Sequence, residues 1–276
     1  MAKNYEIVIR PNSGWIPFNI TEIWDYRDLL LFLAWRDVKV KYKQTVLGVT
    51  WAILQPLVTM LLFSLIFGKL AGIPSDGIAY PLFAYSGLLL WNYFSSTLNT
   101  TANSLIANSN LITKVYFPRV IIPASASLAS MLDLIISFIF FVGMLFYFHI
   151  SPHISLILAG PMLLALVFIV AVGCGLWLSA LNVEYRDFQY VIPFSIQIWM
   201  FATPVIYPAS LLPERYRWVI YLNPMCGFIE LFRSITIGQQ PINWIALAFS
   251  ITITMLILVS GLYYFRKVER SFADVI

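Results

Sequence analysis

The sequence predicts an all-α integral membrane protein with six transmembrane helices. An amphipathic helix is expected at the N-terminal interface, and short re-entrant helices between spans 5 and 6. Three observations carry the prediction. Hydrophobic residues make up 60% of the 276 residues and charged residues only 11%, against about 25% charged in a soluble domain. Six apolar stretches can supply the ~20 residues that a helical span needs. The Lys and Arg residues are shared unequally between the two sides that such a threading creates. So few charges cannot cover a soluble surface of this size. A disordered chain, a soluble enzyme and a nucleic-acid module are therefore excluded.

Residues 1–20 are mixed polar and lack a continuous apolar core, which predicts no cleavable signal peptide. They are expected to be an N-terminal extension, followed by a single transmembrane domain over 21–276. Residues 21–45 hold only seven consecutive apolar residues, Leu29 to Trp35, too few to span. Thr21 is a plausible N-cap, and Glu22, Asp25 and Asp28 suit the positive end of a helix dipole. Arg36, Lys39, Lys41 and Lys43 follow at the other end. This is the pattern of an amphipathic helix in the membrane interface, serving as a lipid anchor or as a docking surface.

The spans are expected at about 51–71, 80–100, 120–148, 154–181, 190–207 and 242–265. The fifth is only just long enough. Pro123 and Pro161 are the places where the third and fourth would bend. Residues 204–241 carry five prolines (Pro204, Pro208, Pro213, Pro224 and Pro241) with Glu214, Arg215, Arg217, Glu230 and Arg233 between short apolar runs. Two short helices dipping in from the outer face fit this stretch, and so does an ordinary packed loop. Irregular backbone at membrane depth is tolerated only where it is buried in protein or lines a wet cavity.

Thirteen of the 17 Lys and Arg residues lie in residues 1–50, the 2–3 loop, the 4–5 loop and the C-terminal tail. Lys69, Arg215, Arg217 and Arg233 lie on the other side. The positive-inside rule then places both termini in the cytosol.

Little in the sequence promises catalysis. There is no G-x-x-x-x-G-K-[ST] loop, so no phosphate cradle is expected in this chain. His149 and His153 lie at the outer end of span 3 with Pro152 between them, and no metal site is expected. Cys174 and Cys226 cannot form a disulfide framework. Asp133 is the one ionisable residue deep inside a span, and it shows no partner on the other spans. It suits a bundle-internal hydrogen bond, for instance to a Ser or Thr, or else a proton relay. Gln55, Thr59, Asn92, Tyr93, Gln197, Trp199 and Tyr207 are uncharged polar or aromatic residues within the spans. They suit a sugar-lined path, and equally a packed bundle with aromatic belts.

Five blocks carry a resemblance. They are RDVKVKYKQTVLGVTWAILQP (36–56), YPLFAYSGLLLWNYF (80–94), NSLIANSNLITKVYFPR (103–119), LNVEYRDFQYVIPFSIQIWMFATPVIYP (181–208) and LNPMCGFIELFR (222–233). In this order they resemble the polysaccharide-export permeases, over residues 22 to about 270. These are the membrane subunits of type-2 ABC transporters that export O-antigen, capsular polysaccharide or teichoic acid.

The resemblance implies a role for each region. Residues 22–45, with Arg36 and Lys39, would rest on a nucleotide-binding ATPase subunit. Residues 103–118 would form the coupling helix, with Lys114 and Arg119 on the docking side. Glu184, Arg186 and Asp187 would make a second contact. Spans 1 and 5 would line the glycan path, with Trp51, Phe63, Phe67, Trp199, Phe201 and Tyr207 as candidates. Residues 208–238 would form gate helices, with Pro208, Glu214, Pro224, Glu230 and Arg233. Two copies of the chain would pair with two ATPase subunits in the bacterial inner membrane. ATP and Mg would be held by the partner, and no cofactor or metal by this chain. The cargo would be a lipid-linked polysaccharide, O-antigen first and teichoic acid or capsule next. A drug or haem exporter, or a proton-coupled carrier using Asp133, is the more distant alternative.

Overall fold

The structure, a computed structural model, describes residues 24–43, 48–152, 154–238, 241–269 and 272. The expected N-terminal extension, the Thr21 cap, Glu22 and His153 lie outside the described residues. Among the described residues the protein is helical, with no strand.

Helix α1 (Arg27–Lys43) has Asp28 in its first turn and Lys41 and Lys43 in its last, each matched to the helix dipole. A short 3-10 turn leads into α2 (Trp51–Phe63), which carries Pro56 inside it and runs on as a π-helical segment, Ser64–Leu70. Around that junction the hydroxyls of Thr59 and Ser64 donate to the carbonyls of Gln55 and Met60. Helix α3 (Tyr80–Ala107) follows, then the short α4 (Ser109–Lys114), α5 (Ile121–Tyr147) and α6 (Ser155–Glu184). The remaining helices are α7 (Phe188–Phe201), α8 (Glu214–Tyr221), α9 (Pro224–Ile237) and α10 (Trp244–Val268). Asn223 and Asn243 cap α9 and α10 by accepting from Met225 N and Ala246 N. Gly238, at φ 71°, closes α9 in the left-handed conformation that glycine adopts without strain.

Four segments are long and apolar enough to cross a membrane: Trp51–Leu70, α5, α6 and α10. The second and fifth expected spans are helices of a different kind. Helix α3 has 28 residues, but residues 95–104 (SSTLNTTANS) are nearly all polar. It also runs on past residue 100, where the span was expected to end. Helix α7 has 14 residues and ends at Phe201. That is about 21 Å of helix, short of the ~30 Å hydrocarbon layer. Residues 202–207, expected to lie within the fifth span, form turns instead.

Helix α3 is the central element and packs chiefly on α5 and α6, while α6 packs on α10. The main core contains Phe83, Tyr85, Phe94, Phe141, Phe228 and Phe232, all essentially inaccessible. A second cluster sits at the basic end, where Leu33, Leu105, Ile112, Phe117, Leu176 and Phe265 meet. The α6–α10 crossing is close enough that a Cβ on Gly261 would overlap the Gly173 carbonyl. Small residues at such crossings let helices approach. Helix α2 is barely covered, with only Pro56 and Met60 buried.

Helix α1 packs along α5. Lys41 and Tyr42, at its C-terminal end, reach Asp133, about 18 Å along α5 from Ile121 at 1.5 Å per residue. Tyr26, Leu29, Leu30 and Leu33 face the second cluster.

Candidate functional site

At the basic end, α1, α4 and the start of α5 are tied together. Arg36 Nη2 donates to Asn108 Oδ1 at 2.7 Å, and Arg36 also pairs with Asp37. Asn108 closes α3: its Nδ2 donates to the Ser104 carbonyl at 2.9 Å, and its own carbonyl accepts from Leu111 and Ile112. Ile112 fixes α4 to the core and leaves Lys114 exposed. Lys39 is exposed and lies over the Trp35 ring at 5.4 Å. Arg119 is engaged within the chain, its guanidinium donating to the Glu269 carbonyl and its backbone N–H to the Glu269 carboxylate. Glu184, Arg186 and Asp187 are exposed at the same end, with Glu184 at 3.5 Å from the Tyr264 hydroxyl.

Above this end lies a cavity of about 530 Å³ between α1, α2, α3, α5 and α7. Its walls carry Gln55, Asn92, Tyr93, Ser96, Asn99 and Ser130, together with Trp51, Pro56 and Pro193. Lys41, Tyr42 and Asp133 also line it. The partners of Asp133 are therefore a lysine and a tyrosine from α1, where a Ser or Thr of a neighbouring span was expected. Burial, reinforced by the bond to Asp133, pushes the Tyr42 phenol well above its ordinary range. Tyr42 thus remains a donor at neutral pH. Tyr93 is 3% exposed, and its hydroxyl has no partner among the described residues.

The aromatic candidates divide. Trp51 stands half exposed on the cavity wall. Phe63 and Phe67 meet edge-on at 5.6 Å and pack against the core. Trp199 packs edge-on against Trp91 and Phe94 at 6.4 and 5.0 Å. With Tyr207 it lines a second hollow of about 530 Å³. The Tyr207 hydroxyl donates to the Phe201 carbonyl at 3.1 Å, and the Phe201 ring points outward, 51% exposed.

At the opposite end, Pro208 precedes a 3-10 turn, Ala209–Leu211, and Pro224 opens α9. Glu214 is exposed and pairs with Arg217 at 3.7 Å. Arg233 is buried at 6% exposure. It donates to Ser86 Oγ at 3.2 Å and to the carbonyls of Pro204, Phe83 and Val205 at 2.9 to 3.0 Å. It also stacks over the Phe83 ring at 3.5 Å. Burial pulls its pKa down to about 9, so it stays charged at neutral pH. Glu230 accepts from Asn243 Nδ2 at 3.2 Å. Burial pushes its carboxyl above the usual range, against the pull of Asn243 and Arg233. A pocket of about 300 Å³ lies here, lined by Asp76, Arg217, Tyr221, Glu230 and Asn243. Among the described residues no cluster of His, Cys, Asp and Glu could hold a metal ion.

Residues 28–237 match the ABC-2 type transporter family, which is most of the chain. The chain belongs to the ABC-2 type transporter family. It is similar to the O-antigen export system permease protein RfbA of Klebsiella pneumoniae, at 27% identity over 90% of this chain and 95% of the relative. RfbA of Myxococcus xanthus is 29% identical over 78% of this chain and 83% of the relative. The polysialic acid transport protein KpsM of Escherichia coli is 26% identical over 87% and 93%.

The ABC-2 match runs from the start of α1 to the end of α9. It therefore contains Arg36, Asn108 and Lys114 of the basic end, the cavity and the Arg233 cluster, and leaves out α10. Membership makes the chain a multi-pass membrane subunit of a transporter. Three features of this ABC-2 chain were missed in the sequence. The Lys41–Asp133 pair joins residues 92 positions apart, which no local pattern signals. Arg233 was grouped with the other gate residues, although its place just after the GFIELF run was a signal of burial. Asn108 was passed over as one polar residue among many.

Proposed function

We propose that the chain is the permease subunit of an ATP-driven exporter of a lipid-linked polysaccharide, with O-antigen as the first cargo to test. The observation that carries this reading is the likeness, over 90% of this chain and 95% of the relative, to a permease named for O-antigen export. In the proposed assembly two copies pair in the bacterial inner membrane. Each has six spans, α3 and α7 among them, and both termini in the cytosol. Two ATPase subunits bind ATP and Mg and dock at the basic end.

The contacts within the chain supply a route for the motion. An ATPase pressing on Lys114 and α4 moves Asn108, which is bonded to Arg36 of α1. Helix α1 carries the movement to Asp133 of α5 through Lys41 and Tyr42. That pair lies on the cavity wall, so docking is linked to a space a polar cargo can enter. On the outer side, α8 and α9 serve as the gate. Aromatic contacts worth only about 1 kcal/mol each suit a sliding polymer, because no single one traps it.

The test is co-purification with the ATPase subunit and measurement of ATP hydrolysis with and without lipid-linked oligosaccharide. A stable complex whose hydrolysis responds to the glycan is expected. A chain that associates with no ATPase would overturn the reading.

A further inference from the structure

The pocket of about 300 Å³ beside Arg233 is a meeting point of five segments. Its walls come from the loop before α3, the turn after Pro208, α8, α9 and the start of α10. One side chain, Asn243, ties three of them together. Its Oδ1 accepts from Ala246 N and so caps α10. Its Nδ2 donates to the Tyr221 hydroxyl, at the end of α8, at 2.7 Å, and to Glu230 Oε2 of α9 at 3.2 Å. Both amide hydrogens and the carbonyl are thus in use. Helix α9 is packed hard on α10, because a Cβ on Gly227 would overlap the Ala246 carbonyl and the Ser250 hydroxyl. Helix α8 is the loose member: Glu214, Arg215, Tyr216, Trp218 and Val219 are exposed, and only Ile220 is buried.

Both arginines on the pocket wall are committed elsewhere. Arg233 donates to three carbonyls and to Ser86, and Arg217 to the Leu212 carbonyl while pairing with Glu214. The titratable and charged groups that face Glu230 are Asp76 from the loop, Arg217 and Tyr221 from α8, and Cys226 and Arg233 from α9. From α10 it meets the uncharged Asn243. Burial holds the Glu230 carboxyl above its usual range; Asn243, Arg233 and Arg217 oppose this, and Asp76 adds to it. The closed junction therefore favours the neutral acid. Its stability is full in acid and is lost as the pH rises through the raised range. An ionised Glu230 is drawn toward water, and the Asp76 carboxylate in the same pocket repels it.

We propose that this pocket is a proton-responsive clasp on α8. With Glu230 neutral, the walls stay closed and Asn243 holds α8 to α10. With Glu230 ionised, the carboxylate takes up water, Asn243 turns with it, and the end of α8 is released. The clasp goes beyond the export reading; only its place on the outer face and its effect on transport rest on that reading.

The test uses the full chain in nanodiscs with a nitroxide at Arg215→Cys, in a Cys174→Ala background; Cys226 is inaccessible. The mobile fraction of the EPR spectrum should at least double between about pH 5 and about pH 8, above the ordinary carboxylate range. Glu230→Gln keeps the acceptor for Asn243 without the charge, and its label should stay immobile at both. Tyr221→Phe removes the acceptor on α8 and leaves the α10 cap, and its label should be mobile at both. The melting temperature of Glu230→Gln should match that of the natural chain in acid and exceed it as the pH rises. Equal mobility at both ends for the natural chain, an unchanged response in Glu230→Gln, or a label still held in Tyr221→Phe overturns the clasp. Surface polysaccharide at neutral pH separates the two readings. Lower display by Glu230→Gln than by the natural chain supports the clasp as a gate, and equal display overturns that role. Unchanged polymer after deleting the chain removes the export reading, while the clasp is judged by the EPR alone.

Discussion

Arg36 of α1 and Asn108 at the end of α3 are joined by a hydrogen bond of 2.7 Å. One side chain thus links the helix along α5 to the hinge between α3 and α4. A hydrogen bond to a charged group contributes roughly 1.5–3 kcal/mol, and partial exposure lowers that here. Asn108→Ala should therefore leave the fold intact, costing about 1 kcal/mol or less. Its effect belongs on transport: ATP hydrolysis by the assembled complex should persist while surface polysaccharide falls several-fold. A variant with both activities unchanged would show that motion does not pass through this bond.

Helix α4 separates two basic residues that the sequence grouped together. Lys114 is exposed, whereas Arg119 is held by Glu269. Lys114→Glu should weaken ATPase binding at least tenfold in a pull-down titration without lowering thermal stability. Arg119→Glu should do the reverse, because it faces Glu269 with a like charge. A melting temperature lowered by Lys114→Glu and untouched by Arg119→Glu would contradict this division.

Asp133 is committed to Lys41 and Tyr42, which leaves it poorly placed to cycle as a proton carrier. The pair is partly exposed, so its worth is about 1 kcal/mol or less. Asp133→Asn keeps the shape and an acceptor for Tyr42. It should lower the melting temperature by a few degrees, and any residual export should remain ATP-driven and insensitive to a protonophore. Export by the natural chain that a protonophore abolishes while ATP levels hold would restore the relay reading.

What the sequence made legible follows from range. Long apolar runs bounded by charge located α5, α6 and α10 to within a few residues, because burial in lipid acts on each segment separately. The length of α7 was not legible, since Pro204 and Pro208 sit beyond its true end and the apolar pattern runs through the turns. The apolar first half of helix α3 hid how polar residues 95–104 are, of which Ser95, Ser96 and Asn99 line the cavity. The partners of Asp133 and Arg233 lie between 28 and 150 residues away. Composition alone cannot pair groups across such distances.

The proposed orientation puts residues 208–223 on the outer face. Leu211 is 51% exposed there, and the native Cys226 is inaccessible. A Leu211→Cys variant in intact cells should react with an impermeant maleimide from the periplasmic side at a rate typical of exposed thiols. Reaction only after the cytosolic face is opened would invert the topology, and with it the docking end.

Arg233 sets the strongest constraint on the turn at 202–207, beside the proposed outer gate. Its guanidinium holds the carbonyls of Pro204 and Val205, which follow α7, and the Phe83 carbonyl and Ser86 hydroxyl of α3. The turn at 202–207 is therefore fastened to the core by one side chain on α9. Arg233→Leu would leave three carbonyls buried without that donor, each costing about 1–3 kcal/mol. A total loss on the order of 3 kcal/mol is expected once the turn relaxes. Arg233→Lys keeps the charge, but an ammonium is a point donor on a flexible stem and cannot match the planar fork. It should recover less than half of the loss. Thermal unfolding of both variants in nanodiscs gives the measure. Equal stability of Arg233→Lys and the natural chain would mean that charge, not the forked geometry, holds the turn to α3.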